Sequence, residues 1–398
     1  MNILLISLFG TNPNSRVGKI KKYSFPNDNV TIVTSNFQHG GKKFIENDIL
    51  LDKHLGIIRL SVPRYKKNLS FRRIYSHLKF ASALKRYLTS LREKPDLIYC
   101  AMPTSSAAFV AGQYCKKNSI PFIIDVIDLW PDSLIPIFKY NRVVDFCLSP
   151  WSYLTKAAYR LANYISGESK AYSEVAHKIN PNIPYSYTYL GVSPKDTKKL
   201  IDSSSITLEK PQDEIWIGYG GSLGNSYDFD VILKGLKELK KRNMKYKMWF
   251  IGGGEKEEYI QAIAKEENLN VEITGRIPYG DFLKCLSYCD IAINSFIEGT
   301  LVVHSYKFND YVATGCYVLN NLSGETGEII DKYRIGCNFN SQNFTEKLIS
   351  TINNWAMLSK NLNNRIDNLI NTELDTSIIY RHLGEDIKHN IAIREIYN

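Results

Sequence analysis

The stretch "HSYKFNDYVATGCYVLNN", residues 304–321, decides how the second half of this chain folds. It reads as a helix that ends at Gly315 and runs straight into an apolar strand, with a single carboxylate, Asp310, on the helix. Upstream, the same switching between strand and helix recurs. The strands are "IWIGYGGSLG" (215–224), "KMWFIGGG" (247–254), "VEITGRI" (271–277) and "DIAINSF" (290–296), with helices expected over 229–242, over 255–267 and after Asp281. Such alternation predicts a parallel sheet covered on both faces, with ligands at the carboxyl ends of its strands.

The first half repeats the pattern at "NILLISL" (2–8), "VTIVTS" (30–35), "DLIYCAM" (96–102), "PFIIDVID" (121–128) and "ANYISG" (162–167). Between the halves, "SPKDTKKLIDSSSITLEKPQDE" (193–214) is polar and Ser-rich and reads as a linker. A chain of 398 residues, 44% of them apolar, suits two domains. The expected division is a first Rossmann-like domain over 1–193, a linker over 194–213, a second Rossmann-like domain over 214–372 and a C-terminal helix over 373–398.

The seven cysteines, at 100, 115, 147, 285, 289, 316 and 337, lack metal-ligand spacing and read as reduced thiols, so no metal is expected. The chain opens directly on its first strand and contains no run of 18 or more apolar residues, which predicts a cytoplasmic protein. Its net charge of +10 is uneven. Residues 1–193 hold 26 Lys+Arg and 12 Asp+Glu, a net of +14, so the remainder carries 10 − 14 = −4. Within 54–94 Glu93 is the one acid, and from Phe71 apolar residues at 71, 74, 75, 78, 84, 87, 88 and 91 recur at helical spacing with Arg72, Arg73, Lys79, Lys85, Arg86 and Arg92 between them. This basic amphipathic helix is either an ordinary domain helix with a solvated face or a surface for anionic lipid. Nucleic acid is disfavoured, because no recognition module accompanies the charge.

Two loops suit a phosphate-bearing ligand. In "GYGGSLG" (218–224), glycines between a strand and a helix let backbone N–H groups approach an anion. "IGGGE" (251–255) is a second such loop, or a turn that lets a helix pack closely. The dinucleotide spacing fails: Leu223 stands where the third glycine belongs, and the first strand of the chain exits into "FGTNPNSRVG" (9–18).

At this point four motifs appear in one order. "YGGSLG" (219–224), "FIGGGE" (250–255), "ITGRIP" (273–278) and the 304–321 stretch resemble those of the retaining glycosyltransferases of family GT4, which have the GT-B architecture. In the last motif Ser305 and Lys307 fall near the family's serine-lysine position, Asp310 replaces its glutamate, and Tyr311, Ala313, Gly315 and Val318 match directly. In the first half, "IDLWPDSL" (127–134) is similar to a segment of members that build bacterial surface polysaccharides, and "YLGVSP" (189–194) resembles the interdomain stretch. The resemblance implies an α/β, GT-B fold: two facing Rossmann-like domains, an interdomain cleft, and a C-terminal helix returning to the first domain.

It also implies roles. Asp310 would accept hydrogen bonds from the ribose hydroxyls of a nucleoside diphosphate sugar, taken here as a UDP-sugar. Amides around Gly221, Ser222 and Gly224, with Ser305, would hold the donor, and Ile277 would sit where the family reads the base. Lys307 and Arg276 would offset charge on the leaving diphosphate without a metal. Asp128, with Trp130 and Asp132 beside it, would orient or deprotonate the acceptor hydroxyl. The acceptor would be a polyprenyl-diphosphate-linked saccharide at the inner face of the membrane, approached through the basic first domain. One departure stands out: the family's partner acid would fall at Val302, and Glu298 is out of register. Two alternatives follow, a catalytically idle subunit that binds nucleotide or a partner transferase, and a nucleotide-sugar epimerase.

Overall fold

The computed structural model describes residues 1–8, 15–39, 42–45, 51–52, 56–67, 70–134 and 142–397. Most of the "FGTNPNSRVG" exit from the first strand, and positions 54–55 and 68–69 of the basic stretch, lie outside the described residues. The chain forms two compact units, Met1–Tyr189 with Ser377–Asn398, and Leu190–Thr376.

Unit 1 is built on β1 (Asn2–Ile6), β2 (Asn29–Ser35), the antiparallel pair β3 (Phe37–Gln38) and β4 (Lys43–Phe44), β5 (Leu51–Asp52), β6 (Ile57–Leu60), β7 (Leu97–Ala101), β8 (Phe122–Val126) and β9 (Tyr164–Gly167). The main sheet runs β5-β6-β2-β1-β7-β8-β9, parallel except for β5. Without its edge β5 this is the doubly wound order, which reverses between β1 and β7. Strands β7, β8 and β9 are buried at every position, which is why they read as unbroken apolar runs rather than alternations.

Helices, numbered from the short α1 (Arg16–Lys19), cover both faces. On one, Phe80, Leu84 and Leu88 of α2 (Phe71–Ser90), Ala107 and Ala111 of α3 (Ser105–Asn118) and Ala158 of α4 (Arg142–Leu161) join Ile98, Phe122 and Ile124 in one core. On the other, Tyr380, Leu383 and Ile387 of the helix Thr376–Tyr397 pack with Ile3, Leu5, Tyr99 and Ile123. The C-terminal helix is thus part of the first unit's core. Between the layers Arg16, 6% exposed, donates from Nε and Nη2 to Asp125 at 2.7 Å each and from Nη2 to the Gly167 carbonyl at 3.1 Å.

The amphipathic reading of α2 needs correction. Its inward stripe is Arg73, His77, Phe80, Leu84 and Leu88, whereas Phe71, Ile74, Tyr75 and Leu78 are exposed, Phe71 at 90%. The stripe that packs on α3 continues along the helix at 3.6-residue spacing and reaches Arg73 and His77 where it passes the sheet's carboxyl edge, so the polar residues turn in and the apolar ones turn out.

Unit 2 carries β10 (Ile215–Gly220), β11 (Tyr246–Ile251), β12 (Val271–Ile273), β13 (Ile291–Asn294), β14 (Tyr317–Asn320) and β15 (Gly336–Asn338). All are parallel in the order β12-β11-β10-β13-β14-β15, which reverses between β10 and β13. The expected linker is instead partly helical. Ser193 caps the helix Pro194–Asp202 by accepting from the Asp196 amide, Pro194 sits in its first turn, and the helix packs on the helix Tyr279–Ser287. The Ser-rich composition hid a capped helix whose polar face is solvated.

Candidate functional site

The switch point of unit 2 is held by one buried phenol. The helix Tyr306–Ala313 follows β13, and the hydroxyl of its Tyr311 accepts from the Gly220 amide at 3.0 Å and donates to the Ile293 carbonyl at 3.0 Å. Two strand ends and the helix are thereby tied together where a doubly wound sheet opens a crevice.

The two glycine loops interlock through their backbones. The Gly221 amide donates to the Ile251 carbonyl at 2.9 Å, Leu223 to Gly253 at 3.3 Å and Lys256 to Leu223 at 2.8 Å. Gly252, at φ +145°, leaves 1.9 Å between an added Cβ and the Gly221 oxygen, and at Gly254 the gap to the Leu223 oxygen is 2.6 Å. Glycine is required at 252 and 254 by this contact, so "IGGGE" acts as a buttress for "GYGGSLG". The expected use of the Gly221 amide changes accordingly: that N–H is spent on Ile251, and the amides of Ser222 and Gly224 are the ones that donate to no described residue.

Lys307 lies against this loop. Its Cε is 3.0 Å from where a Cβ on Gly221 would stand, and its Nζ is 3.2 Å from the Tyr227 ring centroid, 5.0 Å from Phe296 and 5.1 Å from Tyr219. At 8% exposure, burial pushes the ammonium down to about 6, against an upward pull from Asp310. Three ring faces favour the charged form, since a desolvated cation–π contact contributes about 2 kcal/mol. A cation in the first turn of a helix also opposes the positive end of the helix dipole. Every local influence except Asp310 and the rings disfavours a charge here, and an anion placed beside Lys307 would reverse that balance.

Asp310, half-buried one helical turn on, accepts from the Tyr279 hydroxyl at 2.6 Å. Burial and the neighbouring carboxylate hold the Tyr279 phenol protonated, well above its ordinary range. Arg276 is exposed, and the spot an added Cβ on Gly253 would take lies 3.1 Å from its Cγ. Ile277 follows it, half-buried. Ser305 is placed differently from its expected donor-binding role. It is 2% exposed, and its hydroxyl donates to Asn294 Oδ1 at 3.0 Å, so it joins the end of β13 to the start of the helix. Gly221, Ser222, Gly224, Arg276, Lys307 and Asp310 thus gather around one set of strand ends. Sequence reasoning missed Tyr279, Tyr219, Tyr227 and Phe296, which share no spacing with the residues they serve.

In unit 1, Asp128 follows β8. Ser133 donates to it at 2.9 Å, and burial raises its pKa despite that bond and the nearby Arg73. The Trp130 ring stacks with His77 at 6.2 Å and lies 4.0 Å from the Arg73 guanidinium. Asp132 lines a cavity of about 340 Å³ with Ser149, Ser152, Tyr153 and Lys156.

Residues 201–300 match the sequence family described as "Glycosyl transferases group 1". Over 139 residues the chain is 32% identical to the N-acetyl-gamma-glutamyl-phosphate reductases of two Listeria monocytogenes strains; this covers 34% of the chain, which spans about 38% of the length of those curated relatives. The fold is similar to that of sucrose-phosphate synthase from Thermosynechococcus elongatus, at TM-score 0.68 and 14% identity over 98% of this chain and 99% of that one. It is also similar to Anabaena HepE in complex with UDP, at TM-score 0.66 and 12% identity over 98% and 100%. The chain therefore has an α/β fold of two parallel-sheet Rossmann-like domains, shared with GT-B glycosyltransferases of known structure, and a segment of its second domain matches the group 1 glycosyltransferase family.

Proposed function

We propose that this protein is a metal-independent glycosyltransferase of the GT4 type. It moves a sugar from a UDP-sugar to a hydroxyl of a polyprenyl-diphosphate-linked saccharide, with retention, during assembly of a bacterial surface polysaccharide at the inner membrane face. The observation that carries the reading is Lys307, a desolvated amine at a helix start that an anion would protonate, set against a glycine loop with two unspent amides and one turn from Asp310. A diphosphate beside Lys307 would relieve its desolvation, and the Ser222 and Gly224 amides would complete the cradle. Arg276 supplies the second positive charge. Asp310 reads the ribose diol while Tyr279 holds its other oxygen. Asp128, with its raised pKa, suits the role of acceptor base. Uracil as the base is supported by the likeness to Anabaena HepE, whose structures are complexes with UDP and UDP-glucose.

Membrane approach is supported by the outward face of α2, where Phe71, Ile74, Tyr75 and Leu78 are exposed beside Lys66, Lys67, Arg72 and Lys79. No helix among the described residues is long and apolar enough to cross a membrane. The likeness to the reductases covers a third of the chain, and the glycine loop lacks the dinucleotide spacing that such chemistry needs.

A second reading, an idle nucleotide-binding subunit, is favoured by Val302 in place of an acid. Thermal-shift titration with UDP, GDP, ADP and their sugar conjugates, with and without EDTA, tests the first step. A nucleotide shift that survives EDTA, followed by release of free sugar from the cognate donor, supports the transferase; a shift without hydrolysis or transfer supports the idle subunit, and an isomerised donor supports an epimerase.

A further inference from the structure

We infer that unit 1 carries a saccharide subsite between α4 and the loop after β8, in which Asp132, Ser152, Tyr153 and Lys156 hold a neutral pyranose ring. Its use for a sugar of the acceptor beyond the reacting hydroxyl rests on the transferase reading; the saccharide chemistry of the cavity does not.

The cavity measures about 340 Å³, within the roughly 300–1,000 Å³ of small-ligand pockets. One wall is a single face of α4, since Ser149, Ser152, Tyr153 and Lys156 follow one another at helical spacing. Pro131 and Asp132 form the other. The two walls are pinned together. The Thr155 hydroxyl donates to the Trp130 carbonyl at 3.4 Å, and the Trp151 ring meets the Trp130 ring edge-on at 5.6 Å. The Ser133 amide closes the loop on the Leu129 carbonyl at 3.0 Å. A ligand therefore enters a preformed space and has little protein to order.

The polar groups around that space are free to bind. The Asp132 carboxylate, the Ser152 hydroxyl, the Tyr153 phenol and the Lys156 ammonium make no hydrogen bond with a described residue. Asp132 and Lys156 feel each other across the cavity: partial burial raises the Asp132 pKa and Lys156 pulls it down. One acid and one base leave the lining without net charge, which disfavours a phosphate or an anionic headgroup. A neutral polyol suits it. A carboxylate accepts from both hydroxyls of a vicinal diol, while an ammonium and two hydroxyls donate to the remaining sugar oxygens. The Tyr153 ring, on a residue 71% exposed, presents a negative face to the weakly positive C–H groups of a pyranose. Asp128, the acceptor base of the transferase reading, lies on the same loop and is bonded to Ser133, the neighbour of Asp132. A sugar held by Asp132 would thus lie beside the hydroxyl that reacts.

The test is saturation-transfer NMR on the full chain, with the methyl glycosides of glucose, galactose, N-acetylglucosamine and rhamnose as probes and inorganic phosphate as competitor. Saturable binding of at least one glycoside, undisturbed by phosphate, is expected. Tyr153→Ala and Asp132→Asn should each weaken it by about fivefold or more, the size of one lost hydrogen bond, with UDP affinity unchanged within twofold. Should either variant lower the unfolding midpoint, Lys156→Met decides. Silence from every glycoside, displacement by phosphate, or indifference to the substitutions overturns the proposal, as does binding that Asp310→Ala removes instead, which would put the sugar in unit 2. If UDP does not bind but glycoside binding still follows Tyr153 and Asp132, the transferase reading fails and the subsite stands.

Discussion

The Nζ of Lys307 stands 3.2 Å from the centre of the Tyr227 ring, and the same side chain lies against Gly221. A lysine this dry is costly unless an anion shares its site, and two measurable consequences follow. Without ligand its pKa is about 6, and a bound diphosphate would raise it. Nucleotide binding should therefore take up close to one proton above pH 6, and affinity should fall as pH rises from 6 to 8. Calorimetry in buffers of different ionisation enthalpy reads that uptake; Lys307→Met should abolish it and lose transfer.

The same residue acts on stability in the opposite sense. Its folded pKa lies below the ordinary lysine value of 10.5, so between about 6 and 10.5 the unfolded chain binds the extra proton, and the penalty on the fold fades as pH rises. Lys307→Met should raise the unfolding midpoint at pH 7 while abolishing function, with a smaller gain at pH 10. A midpoint lowered at pH 7 would contradict a lysine whose pKa the fold depresses.

Asp310→Ala should weaken UDP binding by about tenfold to a hundredfold, the range for a lost charge-assisted hydrogen bond. Tyr279→Phe should cost less, because it frees a carboxylate oxygen to water rather than removing the acceptor. Unchanged affinity in Asp310→Ala would take the residue out of the site.

Gly252→Ala forces a Cβ to within 1.9 Å of the Gly221 oxygen and should cost about 2–3 kcal/mol or more in urea unfolding. Gly299→Ala, with nothing within 4 Å of its Cβ although φ is +83°, should cost about 1 kcal/mol. Equal costs would mean that the buttress between the two loops relaxes freely.

Asp125→Ala strands the buried Arg16 guanidinium and should destabilise unit 1 by about 3–5 kcal/mol. Removing the exposed partner of Lys245, as in Asp213→Ala, should leave the midpoint unchanged.

Phe71→Ser with Leu78→Ser, or Glu at Lys66, Lys67 and Arg72, should release the protein from anionic vesicles in a flotation assay, because these side chains form the outward face. Arg73 is excluded from that set, since it points into the core. Retention on the vesicles would remove α2 as the contact.

Much of the fold was legible because its strands obey local rules. Apolar runs such as "DLIYCAM" and "PFIIDVID" became the fully buried β7 and β8, and the helix-to-strand switch at Gly315 became the helix Tyr306–Ala313 followed by β14. Shorter elements escaped: β6 was hidden inside the basic stretch, and β15 is three residues long. The candidate site was legible only in residue type and motif order. Gly221, Gly224 and Asp310 stand out by type and order, whereas Tyr279 is 31 positions from the acid it serves.

Local sequence determined the alternation, the glycine loops, the basic first half and the order of motifs, because period, turn chemistry and charge count are properties of neighbours along the chain. Only the tertiary structure decided which amides are spent, which of two adjacent arginines turns inward, and that Lys307 loses its water among three rings. Those outcomes depend on partners distant in the chain, as Tyr219 and Tyr227 are from Lys307, and a one-dimensional pattern holds no record of which side chains will share a volume once each sheet is covered.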